Sequence, residues 1–363
     1  MEKDNNRVMK TSLYESHLDL NAKILDFANF LMPISYEQGI KSEYNTIRSD
    51  FGVFDVSHMG IIQVSGPKAG EYLHNILSND ILKLENQQAI YTLMCNSNGG
   101  IIDDLIAYHI DDFYFLIVNA SNKDKDYNWL LKHKTDSVHL EDLSDFTSLI
   151  AVQGPNSRDR LESLLNLNLT DMPFYSCKSI CYKDNDIFIA RTGYTGELGY
   201  EILGNHNIIN SMWDLIISNG CQPAGLAVRD VLRTEMGYCL YGHEINEDIN
   251  PIDAGLSWVI KKNDSFIGSN AIHDIENQHN TIIFIRMLGR GVLRQGCKIL
   301  IAGREVGHVS SGTFSYLLNC GVGIGFIRKD IALKEEFSVM IRDREYPVAV
   351  SKKPFIKNRS LKK

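Results

Sequence analysis

The stretch Tyr91 to Tyr108, YTLMCNSNGGIIDDLIAY, constrains this chain more than any other, because it sets two adjacent carboxylates in a segment that otherwise reads as a buried strand. Asn96, Ser97, Asn98, Gly99 and Gly100 form a turn cluster with two glycines able to take positive φ, so the flanking apolar runs are predicted to be the arms of a β-hairpin. Successive side chains on a strand alternate faces. Ile102, Asp104, Ile106 and Tyr108 then share one face, and Ile101, Asp103, Leu105 and Ala107 the other, so the two acids cannot act as a paired acid/base dyad. One is a site candidate and the other structural, unless both are solvated at the hairpin mouth, the usual way for acids to avoid unpaired burial.

The bulk numbers remove whole classes. With 363 residues, 44% hydrophobic and 23% charged, the chain reads as a globular protein of two or three domains. A net charge of -8 leaves no general basic footprint, so no nucleic-acid partner is expected. The basic cluster Lys352, Lys353, Lys357, Arg359, Lys362 and Lys363 suits either steering of a polyanionic or acidic partner or a simple solvated tail. Seven cysteines without a Cys-x-x-Cys pair imply neither a disulfide framework nor a zinc ribbon, which fits a reducing compartment. The opening MEKDNNRVMK is too polar for a secretory signal and too acidic for a transit peptide. No apolar run is long enough to span a bilayer, so no membrane partner and a cytoplasmic location are expected.

Elements of both kinds occur along the chain. From Glu15 to Phe30 the apolar residues Leu18, Leu20, Ile24, Leu25 and Phe27 recur at mostly helical or mixed spacing, and Pro33 is expected to stop whatever precedes it. Helices are predicted over Pro67 to Leu77, Asn156 to Leu165 and Asn207 to Ser218. Another starts near Gly225 and carries Val228, Leu232 and Met236 inward. Asp112 to Val118 is a β-prone run that would complete a meander with the hairpin, and after Asn280 short β runs between glycine-rich turns predict an all-β C-terminal module.

Four short motifs carry possible chemistry. GYTGELGYE, Gly193 to Glu201, lacks the Walker lysine and the Rossmann spacing, so its glycines are read as allowing a tight bend and the close approach of a flat ligand. Glu201 is suited to accept two parallel hydrogen bonds from an amidine-like edge such as pterins and guanines present. Arg229 and Arg233, one helical turn apart, suit a carboxylate or ring carbonyl, or else an internal salt-bridge network with Asp230 and Glu235. His58, in Ser57-His58-Met59-Gly60, reads as a structural residue, and His243-Glu244 lacks the second histidine of a zinc site, so no metal is expected.

The ordered set FDVSHMG (from Phe54), YTLMCNSNGGIIDDL (from Tyr91), QGP (from Gln153), RTGYTGELGYE (from Arg191), GLAVRDVLR (from Gly225), CLYGHEI (from Cys239) and NPIDAGLSWVIK (from Asn250) resembles the T-protein of the glycine cleavage system, a folate-dependent aminomethyltransferase. The resemblance runs from about Thr11 to Pro354. It implies an α+β, three-domain cloverleaf around a folate channel: residues 1–52 with 143–230, 53–142 with 231–278, and a β-barrel over 279–363. It also implies transfer of a one-carbon unit from the S-aminomethyldihydrolipoyl arm of the H-protein to tetrahydrofolate as acceptor substrate, giving the 5,10-methylene form and ammonia. By motif position Asp104 is implied as the catalytic aspartate, with Met59, Tyr91, Tyr108, Tyr194, Glu201 and Arg229 binding folate. Phe30, Tyr316 and Ser360 or Leu361 depart from the family's tryptophan, proline and C-terminal tyrosine, at the periphery of the folate site. Two rivals are a demethylase or sarcosine-type folate enzyme, whose FAD-binding domain is not found, and a folate-dependent scaffold, whose KGCYxGQE segment is not found either.

Overall fold

The computed structural model describes residues 8–261, 265–274, 276, 278–357 and 359–362; the polar N-terminal stretch up to residue 7 and Lys363 lie outside them. The predicted meander is there: Ala89–Cys95, Ile101–Ile110 and Phe113–Val118 run antiparallel, joined by Gly60–Ser65 and His139–Asp142 into a five-stranded sheet. A six-stranded sheet orders Cys177–Tyr182, Asn185–Ala190, Gly199–Asn205, Thr147–Gln153, Gly52–Asp55 and the short Gln222–Pro223. The C-terminal strands from Asn280–Met287 to Arg344–Ser351 close into a six-stranded antiparallel barrel, so the change of composition after Asn280 marks a change of architecture.

The hairpin turn uses its residues differently from the expectation. Gly99 takes positive φ (85°), and the Asn96 Oδ1 accepts the backbone N–H groups of Asn98 and Gly100 at 2.9 and 3.0 Å, an Asx turn that fixes the loop. Gly100 is needed for room instead, because a Cβ there would overlap the Glu247 carbonyl. We expect Gly100→Ala to cost about 1–3 kcal/mol, read as a lowered denaturation midpoint with an unchanged slope. A β-bulge between Met94 and Cys95 shifts the register next to the turn. Consequently Ile102 packs with Leu105 and Ala107, while Ile101 packs with Leu93, which reverses the faces expected for Ile101 and Ile102. Beyond the bulge the alternation of Asp103 and Asp104 holds.

The segment Glu15 to Phe30 is a correction. Only Tyr14–Asp19 is helical; Lys23–Phe27 and Phe30–Ser35 form an antiparallel hairpin across a turn at Ala28 and Asn29, both at positive φ (52° and 65°). Such a pair of angles makes a two-residue hairpin turn, for which Ala is a poor marker. Pro33 lies inside the second strand, opposite Ile24, where the register shifts. The remaining helices fall close to expectation: Ala69–Ile76, Ser157–Leu165, His206–Ser218 and Leu226–Met236. Asn205 caps the third of these by accepting from Ile208 N at 3.0 Å.

Two contacts position the site. The two sheets meet where Ala89 N donates to Tyr175 O (2.8 Å) and Cys177 N to Gln87 O (2.9 Å), and one apolar cluster including Ala89, Tyr108, Phe188, Leu203 and Val228 spans the junction. The barrel docks on Leu226–Met236 through Arg233, which donates to Ser311 Oγ at 2.7 Å, and through Glu235, which accepts from Ser315 Oγ at 2.5 Å. No described helix is long and apolar enough to cross a membrane.

Candidate active site

Asp103 and Asp104 leave the strand Ile101–Ile110 on opposite sides, and neither is solvated as at an open hairpin mouth. Asp103 has no exposure at all; Asp104 keeps part of its surface. The Asp104 carboxylate accepts the Tyr91 hydroxyl at Oδ2 (2.9 Å) and the Asn119 amide at Oδ1 (2.8 Å). Loss of surrounding water, followed by repulsion from the Asp103 charge, pushes its carboxyl up to about 7, and the Tyr91 and Asn119 donors only partly oppose this. A carboxyl with that value exchanges a proton readily near neutral pH.

Asp103 behaves differently because three amide donors hold its oxygens. It accepts Asn119 N and Nδ2 (2.9 and 2.8 Å) and Asn122 Nδ2, so it ends the neighbouring strand Phe113–Val118 and anchors the turn into the helix Lys123–Lys132. The two acids are therefore not a dyad by direct contact, yet they share one amide. Asn119 lies just past a strand paired with the Asp104 strand, so extending the antiparallel register from Ile106↔Ile117 would have pointed to it.

A second group of residues gathers at the far end of the same strand. Tyr108 OH lies 3.2 Å from Thr192 Oγ1 and donates to Glu201 Oε2 at 3.5 Å; Thr192 donates to the same oxygen. Both donors thus meet Glu201 at Oε2. The Arg229 guanidinium stands 4.9 Å over the Tyr194 ring and within electrostatic reach of Glu201, and its buried Nη1 has no acceptor among the described residues. Arg233, by contrast, is tied to Asp230 (2.7 Å) and Glu244 (2.9 Å), while Glu235 pairs with Arg48 rather than joining that network. One of the two arginines holds the fold together and the other is unspent.

Tyr194 stacks on Tyr238 with ring centroids 5.7 Å apart and donates its hydroxyl to the Cys239 carbonyl. Tyr91 stacks on Trp258, also at 5.7 Å, and Trp258 is 64% exposed. Met59 packs against the apolar cluster that contains Tyr108. Six of the seven expected residues are thus linked pairwise, Tyr91 to Asp104, Asp104 to Tyr194, Tyr194 to Arg229, Arg229 to Glu201 and Glu201 to Tyr108, and Asn119, Thr192, Tyr238 and Trp258 contact them without having been singled out in the sequence.

The glycine motif is corrected on one point. What approaches Gly193 and Gly199 closely is the Gln153 side chain, which a Cβ at either position would overlap, and not a flat ligand. Gln153 in turn bonds Thr195 Oγ1 (2.9 Å) and the Thr192 carbonyl (3.2 Å), so the motif positions Thr192 and Tyr194 from beneath. His58 is buried with its ring held neutral, its pKa lowered to about 4 chiefly by burial, and lies edge-on to Phe27 and Phe30. His243 and Glu244 serve the barrel contact: His243 Nδ1 lies 3.0 Å from the Ser310 carbonyl, and Glu244 accepts from Arg233 and Leu240 N. Among the described residues no three His, Cys, Asp or Glu side chains are grouped to hold a metal.

Comparison with known proteins accounts for both halves of the molecule. Residues 13–264 match the GCVT N-terminal domain, and residues 281–357 match the glycine cleavage T-protein C-terminal barrel domain. The chain is 40% identical over 356 residues to the aminomethyltransferase of Halothermothrix orenii, covering 96% of this chain and 99% of that protein. It is 41% identical to the aminomethyltransferase of Chlorobium luteolum over 360 residues, covering 96% and 98%. Among solved structures, the glycine cleavage system aminomethyltransferase T of Bartonella henselae superposes with a TM-score of 0.91 at 30% identity, over 97% of this chain and 99% of that one. With both domain models matched in order and such identity sustained over almost its whole length, the chain belongs to the glycine cleavage T-protein family of aminomethyltransferases.

Proposed function

We propose that Asp104 is the reacting carboxylate of the aminomethyltransferase activity this chain has as a member of the glycine cleavage system, and that tetrahydrofolate lies along the cleft between Asp104 and Glu201. The reaction moves the one-carbon unit from the S-aminomethyldihydrolipoyl arm of the H-protein to tetrahydrofolate, releasing ammonia and giving the 5,10-methylene form. The observation that carries the reading is the placement of Asp104 and Tyr108 four residues apart on one strand face, about 13 Å at 3.3 Å per residue. That spacing suits a flat ligand held at one end and reacting nearer the other.

The chemistry follows from the side chains. When the carbon–nitrogen bond of the aminomethyl group breaks and ammonia leaves, positive charge develops on the sulfur-bearing carbon. A carboxylate fixed by Tyr91 and Asn119 stabilises that charge without having to reorganise. As the folate N5 bonds to the carbon it loses a proton, which Asp104 is suited to take; N10 then closes on the same carbon while the carbon–sulfur bond breaks, and the N10 proton leaves with the dihydrolipoyl sulfur as its thiol. At the other end Glu201 Oε1 accepts from the amidine-like edge of the pterin, while Tyr108 and Thr192 hold Oε2. Arg229 offers its free Nη1 to the ring carbonyl or to a carboxylate. Met59, Tyr91 and Tyr194 line the passage, and the lipoyl arm of the H-protein enters on the Asp104 side.

Calorimetric titration with tetrahydrofolate tests the ligand assignment. Glu201→Gln is expected to weaken binding about 10- to 100-fold, the usual cost of a lost hydrogen bond to a charged group. A folded wild-type protein that takes up no tetrahydrofolate, or a Glu201→Gln variant that binds as tightly as wild type, would reject it.

A further inference from the structure

Behind Asp104 lies a buried carboxyl that the reaction scheme above does not use. Asp126, in the first turn of the helix Lys123–Lys132, has no exposure, and neither of its oxygens receives a hydrogen bond from an amide, hydroxyl or cation among the described residues. Its charged neighbour is the Asp103 carboxyl, whose field acts on it directly. Two carboxylates in contact inside a protein cannot both be ionised, so the pair holds a proton. Its position follows from the donors: Asp103 is already satisfied by Asn119 N, Asn119 Nδ2 and Asn122 Nδ2, all of which favour its charged form, and Asp126 has no such help. The proton belongs to Asp126.

Asn119 connects this pair to the reacting carboxylate. Its Nδ2 has two hydrogens, and these go to Asp103 Oδ1 and Asp104 Oδ1, each at 2.8 Å. Two carboxylates demand a donor on this side, which fixes the orientation of the amide. The result is a continuous chain of hydrogen bonds, Asp103, Asn119, Asp104, Tyr91, with the buried Asp126 carboxyl set against its Asp103 end.

We propose that Asp126 and Asn119 are positioning residues for the one-carbon transfer: Asp126, as a neutral acid, donates its hydrogen to the Asp103 carboxylate, and the Asn119 amide divides its two hydrogens between Asp103 and Asp104. This rests on the reading of Asp104 as the reacting carboxylate. The arrangement spreads the Asp103 charge away from Asp104 and fixes the Asp104 oxygens, so Asp104 ionises near neutral pH despite a second acid beside it. Burial, reinforced by the Asp103 charge, keeps Asp126 protonated well above the ordinary carboxylate range. The other titratable groups facing Asp104 are Tyr91, Tyr175, Tyr194 and Cys239, each pushed upward by burial and hence neutral. Toward the acid pair face Tyr241 and Lys125, the latter already bonded to Tyr241 and to Glu247.

The test is the pH profile of kcat. Asn119→Ala and Asp126→Ala are expected to move the acidic limb to higher pH by about one unit and to lower kcat at pH 7 roughly tenfold, with KM for tetrahydrofolate unchanged. Asp126→Asn restores a donor to Asp103 and is expected to rescue the limb to its wild-type position. A limb unmoved in both alanine variants overturns the proposal, as does an Asp126→Asn variant displaced as far as Asp126→Ala. Infrared difference spectroscopy reads the stored proton directly: at pH 8 the full-length wild type should show a protonated-carboxyl stretch that Asp126→Asn lacks, and its absence from wild type overturns the proposal whatever the role of Asp104. Should Asp104→Asn keep wild-type turnover, the reading of Asp104 fails instead, and the infrared result still decides the acid pair.

Discussion

Asp104→Asn is expected to lower kcat about 100- to 1000-fold while the protein still folds and binds tetrahydrofolate, because it removes a preorganised charge that acts only as the reaction proceeds. The same change should leave the protein as stable as wild type or more so. The folded carboxyl titrates at about 7 against 3.8 unfolded, so the folded state holds the proton more tightly and stability falls as pH rises through that interval. Above pH 7 wild type carries the full cost of an ionised, partly buried acid, and the neutral amide does not. A higher Tm at pH 8, vanishing below about pH 4, is therefore the thermodynamic signature of the variant. In activity the sign is opposite: the carboxylate is the working form, so wild-type kcat should rise with pH through an acidic limb near 7.

The second large effect is structural and lies beneath the glycine motif. Arg48 donates to Glu235 Oε2 (2.6 Å), Glu197 Oε1 (2.9 Å) and the Thr195 carbonyl (2.7 Å), and both glutamates have no side-chain exposure. Tyr44 and Ser315 also bond Glu235, and Arg359 and Ser360 from the C-terminal segment also bond Glu197. Arg48→Ala strips the cation from buried Glu235 and leaves Glu197 with Arg359 alone, and is expected to cost about 3–5 kcal/mol, visible as a lower urea midpoint. Because Thr195 neighbours Tyr194, folate KM should rise in the same variant; an unchanged midpoint would contradict this account, since Arg359 bonds Glu197 and not Glu235. The basic C-terminal cluster thus divides: Arg359 is anchored on Glu197, and among the described residues Lys352, Lys353, Lys357 and Lys362 are not part of that network.

The hairpin, four of the helices and the barrel were legible because each is written in local chemistry: an Asx turn at Asn96, a cap at Asn205, glycine-bounded β runs after Asn280; the helices Ile40–Ser49 and Lys123–Lys132 were not singled out. The Lys23–Phe27 hairpin was not, since its turn puts Ala28 at positive φ and its strand tolerates Pro33 at a shifted register. Tertiary context decides such a segment. Face alternation separated Asp103 from Asp104 correctly but gave no hint that Asn119 rejoins them, because that amide comes from another strand end. Resemblance named the candidate residues; only the structure shows that Glu201 is held by Thr192 and that Arg229, unlike Arg233, has hydrogen-bonding capacity to spare.

The most direct measurement mixes the full-length protein with H-protein carrying an aminomethylated lipoyl arm and with tetrahydrofolate, and counts products in a single turnover. One ammonia and one 5,10-methylenetetrahydrofolate should form per loaded arm, at a rate that needs tetrahydrofolate and collapses in Asp104→Asn. A folded, folate-binding protein that releases no ammonia, or an Asp104→Asn variant that forms both products at the wild-type rate, would contradict the account.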